Sequence, residues 1–231
     1  IALENAINAI DAIPTTADKA QLPTAKETAK SNLTQLITDL DLTSNYDDDE
    51  IALINGYKTE GDASIEAATT IKLLDAAVET ITNKINAVPN KELKQARSDA
   101  VDEIEDYAEE KTADLDPTED ADLIDAIDDV VSDAIEELDD AAADAIDDIV
   151  SAAKDAIDLL IAKADAVAEI NDYAEAKIKD LDEEDQEGAA KIAAINFAVS
   201  KAIEDINDAA ADAIDGIVST VKEKIDNPLD E

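Results

Sequence analysis

The chain has 231 residues; 45% of them are apolar, only 2% are aromatic, and Cys, His, Met and Trp are absent. Its 60 acidic and 18 basic residues give a net charge of −42, which disfavours nucleic acids and anionic membrane surfaces as partners because both are bound through Lys and Arg patches. Without Cys or His, the chain has no thiol nucleophile, no imidazole base and no usual ligand for a transition metal.

The two ends of the chain and its hydropathy suggest where it works. Residue 1 is Ile and no Met occurs, so we expect a processed product or an internal fragment of a larger secreted protein. No signal peptide is present, and no run of about 20 apolar residues occurs. Membrane insertion is therefore not expected.

Apolar residues recur at helical spacing in nine segments, which predicts an all-α fold. Breaks rich in Pro, Gly, Asp or Asn separate these segments. The predicted helices span residues 1–13, 17–40, 47–67, 72–88, 91–113, 117–138, 141–181, 186–206 and 209–225.

Particular residues mark where these helices should begin and end. Pro14 and Pro89 stop the helices before them, because the residue ahead of a proline avoids helical backbone angles. Pro23 either kinks the second helix or marks its true start. Asp47 is the expected N-cap of the third helix, with Glu at its third position. Asp116 is the expected N-cap of the sixth, followed by Pro at the first helical position.

The segment of residues 141–181 is the longest predicted element. It contains neither Gly nor Pro, and its apolar stripe is unbroken, which predicts one helix of about 60 Å. The first half of this helix corresponds to the third helix of one repeat, and the second half to the first helix of the next. We therefore expect these two repeats to be rigidly coupled.

Internal matches define the repeats. Residues 101–109 (VDEIEDYAE) match residues 167–175 (VAEINDYAE) at an offset of 66, and the sequence DAAADAID occurs at residues 140–147 and again 68 positions later. These matches predict three three-helix repeats. Their bounds are residues 14–85, 86–157 and 158–231, and residues 1–13 form the last helix of a preceding repeat.

Residues 63–90 (ASIEAATTIKLLDAAVETITNKINAVPN) resemble the tandem three-helix repeat of unknown function found in giant Gram-positive extracellular-matrix-binding surface adhesins. The resemblance extends over nearly the whole chain, although that family is usually richer in Lys and Asn and less acidic. With the repeats, it implies tandem three-helix bundles joined by long shared helices into an elongated rod. It also implies an extracellular, cell-wall-associated location and no enzymatic activity.

The expected function is therefore a structural stalk or spacer in a bacterial cell-surface adhesin or fibril, in contact with neighbouring repeats of the same chain. One alternative is that the repeats themselves bind a host matrix or serum protein, since residues 53–61 (LINGYKTEG) also resemble the centre of albumin-binding three-helix modules. Another alternative is an acidic helical protein of a high-salt organism, in which the charge is a solvent adaptation.

No catalytic, cofactor-binding or metal-binding residues are predicted. Adjacent carboxylates such as Asp128 and Asp129 fall on polar helix faces, whereas acid–base catalysis needs a sheltered pair. Residues 183–188 (EEDQEG) share the sixth-position Gly of a calcium-binding loop, but the first position is Glu and the twelfth is Ala194. The acidic residues at 47–50 are attributed to a helix start, where the helix dipole favours them.

Three aromatic residues are predicted to have structural roles. Tyr107 and Tyr173 occupy equivalent places in the repeat, so they are predicted to anchor helix packing with their hydroxyl groups at the surface. Phe197 is the only Phe and lies among Ile192, Ile195 and Ile203 in the sequence. This position predicts a core residue.

Overall fold

A computed structural model describes residues 13–229, and these residues form nine α-helices and no strand. The predicted all-α fold class is therefore confirmed. The helices are α1 (Thr16–Asp39), α2 (Leu42–Asn45), α3 (Asp48–Ala67), α4 (Ile71–Asn86), α5 (Lys91–Thr112), α6 (Ala121–Asp140), α7 (Ile146–Ile178), α8 (Gln186–Asn207) and α9 (Ala211–Asp226). The helix predicted over residues 1–13 lies outside the described residues, except for Ile13.

Helix α1 agrees with the prediction over residues 17–40, and Pro23 lies inside it, so the alternative that Pro23 marks its start is wrong. The predicted start of the sixth helix is also wrong. Helix α6 begins at Ala121, four residues after the predicted position, because Asp116 caps a separate turn. The Asp116 carboxylate accepts hydrogen bonds from the backbone N–H groups two and three residues on, at 2.8 and 3.2 Å.

The chain divides into two compact units, Ile1–Ala96 and Arg97–Glu231. In the first unit, α1, α3 and α4 pack against one another around an apolar core. The buried side chains of this core are Ala29, Leu33, Tyr46, Ile54, Ile65, Ala68, Leu74, Ile81, Ile85 and Val88. Burying a large aliphatic side chain contributes about 1.5–3 kcal/mol, so this core is the main source of stability in the unit.

One carboxylate in the first unit connects two helix starts. Asp18 and Thr15 form a reciprocal capping box at the beginning of α1. The other carboxylate oxygen of Asp18 accepts a 2.8 Å hydrogen bond from the backbone N–H of Ile71, the first residue of α4. This bond is the largest cause of a lowered pKa for Asp18, followed by the bonds from Thr15. A single side chain thus links the starts of both helices, while Thr70 is the N-cap residue of α4.

Helix α7 dominates the second unit, with 33 uninterrupted residues. The long helix predicted over residues 141–181 is therefore present, although it is shorter at both ends. Its first half contributes Ile157 to an apolar cluster with Ala108 of α5 and Ile127 of α6. Its second half contributes to a separate cluster with α8 and α9, which consists of Ala166, Ile170, Ala174, Ile195, Ala202, Ile206, Ile214, Val218, Val221 and Ile225.

The two glycines of α3 should respond in opposite ways to substitution by alanine. Nothing lies within 4 Å of a Cβ added at Gly56, so Gly56→Ala should raise the free energy of unfolding by up to about 1 kcal/mol through helix propensity. A Cβ at Gly61 would lie 2.9 Å from side-chain carbons of both Ile81 and Leu33. Overpacking should outweigh propensity there and destabilise the protein by about 1–2 kcal/mol. Urea unfolding followed by circular dichroism checks this, and equal stabilisation by both substitutions would contradict it.

Candidate functional site

Two acidic segments considered at the sequence level have structural explanations. Asp47 occupies the N-cap position of α3, as predicted, but its side chain makes no capping hydrogen bond. Its carboxylate lies 2.8 Å from the amino group of Lys94, which also lies 3.2 Å from Glu50. The hydrogen bond from Lys94 is the largest cause of the lowered pKa of Asp47. The acidic start of α3 is thus held by a lysine of α5.

The calcium-loop-like residues 183–188 form the turn before α8 and its first residues. A Cβ at Gly188 would lie 2.0 Å from the carbonyl oxygen of Asp182, so the glycine is required by a close backbone approach. Within residues 13–229, no group of three or more acidic side chains is arranged to hold a metal ion. The absence of metal, cofactor and catalytic residues stays a prediction.

A cluster of five side chains joins α5 to α7, and we call it the first tyrosine cluster. The hydroxyl group of Tyr107 donates a 2.8 Å hydrogen bond to Asp158, and the amino group of Lys111 lies 2.6 Å from the same carboxylate. Lys154 pairs with Glu103 at 2.5 Å. Both lysine amino groups also lie about 5 Å from the centre of the Tyr107 ring, at 5.0 and 5.1 Å, within the range of a cation–π interaction.

The second tyrosine cluster repeats this arrangement between α7 and α9. Tyr173 donates to Asp226 at 2.9 Å, Lys177 lies 2.5 Å from the same carboxylate, and Lys222 pairs with Glu169. Lys177 and Lys222 lie 5.1 and 5.2 Å from the centre of the tyrosine ring. The three cluster residues of α5 have their counterparts on α7, each 66 positions later in the sequence. The two cluster residues of α7 in the first cluster have their counterparts on α9, each 68 positions later. These are the offsets of the sequence repeats.

The prediction that Tyr107 and Tyr173 serve as surface anchors did not include their partners. The signal was available, because lysine and acidic residues recur at the same two offsets as the matched segments. What the sequence did not show was that α5 and α7, or α7 and α9, face each other at these positions. A related contact in the first unit uses a tyrosine on α3: Lys84 lies 5.5 Å from the ring centre of Tyr57 and 2.6 Å from Glu60.

The first tyrosine cluster makes a prediction about pH. The pKa of Asp158 is lowered, chiefly by the hydrogen bond from Lys111 and then by that from Tyr107. Its ionised form therefore stabilises the fold above the unfolded-state pKa, and this contribution is lost as pH falls through the lower, folded-state pKa. Lys111→Gln should raise the pKa of Asp158 more than Tyr107→Phe does. Titration of side-chain carboxyl signals by NMR measures both shifts, and the reverse order would contradict the assignment.

Negative charge is concentrated where α6 and its flanks lie. Residues 112–153 carry 16 carboxylates and no Lys or Arg. The C-terminal end of α6 is closed by Arg97, whose guanidinium donates hydrogen bonds to the carbonyl oxygens of Ala141, at 2.9 and 2.5 Å, and of Asp139. A cation at these carbonyl groups complements the negative end of the helix dipole. The 16 carboxylates form no ion pair with the lysines or the arginine of residues 13–229.

Phe197 is not a core residue, and that prediction is wrong. The side chain is 73% exposed, the largest exposure of any large apolar residue in the described part of the chain. The core positions of α8 are taken instead by Ile195, Ala202 and Ile206, which lie about 140–180° around the helix from Phe197, on its opposite face. Phe197 lines an open groove of about 700 Å³ between α8 and α9.

Residues 53–61, which resemble the centre of albumin-binding modules, lie in the middle of α3. Ile54 is fully buried and Gly61 packs against the core, while Leu53 is 45% exposed. These positions give the segment a packing role in the first unit. Binding of albumin by this segment stays a prediction.

No family model, curated protein or solved structure matches the chain. Of the helices between residues 13 and 229, none combines the length and the apolar character needed to cross a membrane.

Proposed function

We propose that the chain is a set of non-enzymatic structural spacer repeats from a bacterial cell-surface adhesin or fibril. In this proposal, tandem three-helix bundles are joined by long shared helices into an elongated rod that holds a binding domain away from the cell wall. Its partners are the neighbouring repeats. The resemblance of residues 63–90 to surface-adhesin repeats supports the proposal of an extracellular, cell-wall-associated location.

The observation that carries the proposal is the recurrence of the tyrosine cluster. The same hydrogen bond joins the first and third helices of two successive groups of three helices, α5–α7 and α7–α9. It runs from Tyr107 to Asp158 in the first group and from Tyr173 to Asp226 in the second. The feature that recurs is thus a contact between two helices. It is not a reactive group sheltered from solvent, as an active site would require. Exposed ion pairs of this kind hold geometry while contributing little net stability.

The shared helix supports the same proposal. Helix α7 provides Ile157 to one apolar cluster and Ile170 to the next, so a single rigid element belongs to two successive sets. In arrays built this way, each set contacts mainly its neighbours, and length is added by repetition. This is the property that a spacer requires.

Small-angle X-ray scattering of the full 231-residue chain tests the rod. A compact chain of this length has a radius of gyration of about 17 Å, and we expect a clearly larger value with a rod-like cross-section. The scattering should be measured in 1 M NaCl, where charge repulsion is screened. Circular dichroism in the same buffer must show that the helices are intact. A folded particle with a radius near that of a compact sphere would refute the elongated spacer.

Labelling of intact cells of the source organism with antibodies against the chain tests its location. The proposal expects surface labelling that is lost after mild protease treatment of whole cells. Labelling only after the cells are broken open would refute a surface role while leaving the rod unaffected.

A further inference from the structure

The groove between α8 and α9 has a protruding side chain on one wall and an empty position on the other. Phe197, on α8, is 73% exposed. Gly216 lines the same groove from α9, and nothing lies within 4 Å of the place where its Cβ would be. Ala194, Ala198 and Ala213 add small apolar side chains to its lining. Phe197 and Gly216 are not among the core residues that pack α8 on α9.

A surface that carries both a knob and a hole can complement itself. In a two-fold symmetric pair, the contact that residue i makes with residue j is made again by residue j with residue i. Two copies of this face can therefore place each Phe197 ring over the Gly216 backbone of the other copy. We infer that this groove is the surface through which two copies of the chain associate side by side.

The charges that line the groove favour a second copy as its occupant. Lys201 and Lys224 balance Asp205 and Glu223 along its walls, whereas the chain as a whole has 60 acidic and 18 basic residues. Two chains of net charge −42 repel each other over most of their surfaces. The groove has locally balanced charge, so this repulsion is weaker there than over the strongly acidic surfaces. Lys201 pairs with Asp205 and Glu204 of its own helix, and Lys224 can meet a carboxylate of the other copy.

This arrangement fixes the sign of the salt dependence. Long-range repulsion between the two acidic chains is screened by salt, while contact between an aromatic ring and apolar surface is not weakened by it. Association through the groove therefore strengthens as the salt concentration rises. An interface formed mainly by ion pairs would weaken under the same change. The inference does not depend on the proposed spacer function, since it concerns only the pairing of two chains.

Sedimentation equilibrium of the full chain over a wide range of concentrations, in 0.15 M and 1 M NaCl, tests the inference. We expect a monomer–dimer equilibrium that is tighter in 1 M NaCl. Phe197→Ala should weaken it by at least about tenfold, as loss of a central aromatic anchor does. Gly216→Leu, which fills the hole with a good helix former, should weaken it by a similar factor.

Two matched controls separate association from folding. Leu53→Ala removes an exposed apolar side chain from α3, and Gly56→Leu fills an equally open glycine position; neither should change the dimer constant. Circular dichroism must show that all four variants keep their helices. A dimer that is unaffected by Phe197→Ala would overturn the inference, and so would equal loss of association in a control.

A chain that stays monomeric at every concentration would also overturn the inference. Hydroxyl-radical labelling of Phe197 then identifies the reason. Protection of the ring in the monomer means that another segment of the same chain covers the groove. Labelling of the Phe197 ring in the monomer means that the groove is open to solvent and would have to bind a partner of different chemistry. In both cases a second copy is not the occupant.

Discussion

Asp165→Pro is expected to lower the free energy of unfolding of the second unit by about 3 kcal/mol or more. Asp165 lies in the middle of α7, between the residues that enter the two apolar clusters, and its side chain is exposed. Proline at this position removes the backbone hydrogen bond to Ile161, and its ring clashes with that carbonyl group. Because α7 is the element common to both clusters, we expect the parent unit to unfold in one transition and the Asp165→Pro variant in two.

Asp165→Ala is the matched control for this substitution. It removes the same exposed carboxylate but keeps the backbone donor and improves helix propensity, so stability should be unchanged or higher. Urea unfolding monitored by circular dichroism compares the two variants. If Asp165→Pro unfolds at the midpoint of Asp165→Ala, α7 does not couple the two clusters.

Addition of salt is expected to stabilise the protein strongly. With a net charge of −42, repulsion in the compact state extends over about 30 Å at 0.01 M salt but only about 3 Å at 1 M. Relief of several kcal/mol of repulsion should raise the midpoint of thermal unfolding by roughly 10 °C or more. The effect should be largest for α6 and its flanks, where 16 carboxylates occur in residues 112–153 without a single basic residue.

A charge-reversal variant tests whether the salt-dependent stabilisation arises from repulsion on α6. Asp133 is exposed on α6, and Asp133→Lys places an ammonium group one turn from both Asp129 and Glu137. This variant should melt at a higher temperature than the parent at 0.01 M salt, with Asp133→Asn in between, and the differences should vanish at 1 M. Thermal unfolding of the three proteins at both salt concentrations measures this. Indifference of the parent to salt would argue against charge repulsion, and also against the alternative that the acidic surface is an adaptation to high salt.

The helices could be predicted from the sequence because their signals are local. The 3.6-residue spacing and a helix stop such as Pro89 act within a few positions of one another. The capping bonds in the structure are equally local: Asn90 accepts from the N–H of Leu93, and Thr70 from that of Leu73. The late start of α6 is a failure of the same kind of signal. Asp116 caps whatever turn follows it, and the sequence does not show whether that turn continues.

The contacts between helices were much harder to predict. Phe197 has Ile192, Ile195 and Ile203 near it in the sequence, which suggests a core position, yet it lies about 160–180° around the helix from Ile195 and Ile206 and is exposed. Its exposure therefore agrees with the 3.6-residue period. The partners of Tyr107 could not be predicted in this way, because Asp158 is 51 residues away in the sequence and side-chain pattern alone does not determine how helices cross.

The four tyrosines give this protein a set of built-in spectroscopic reporters. Since Trp is absent, its near-ultraviolet emission comes from tyrosine. Tyr46 is buried in the core of the first unit, Tyr57 lies beneath Lys84, and Tyr107 and Tyr173 each sense one helix pair of the second. Variants that keep one tyrosine at a time would reveal the order in which the helix sets open, without an added dye.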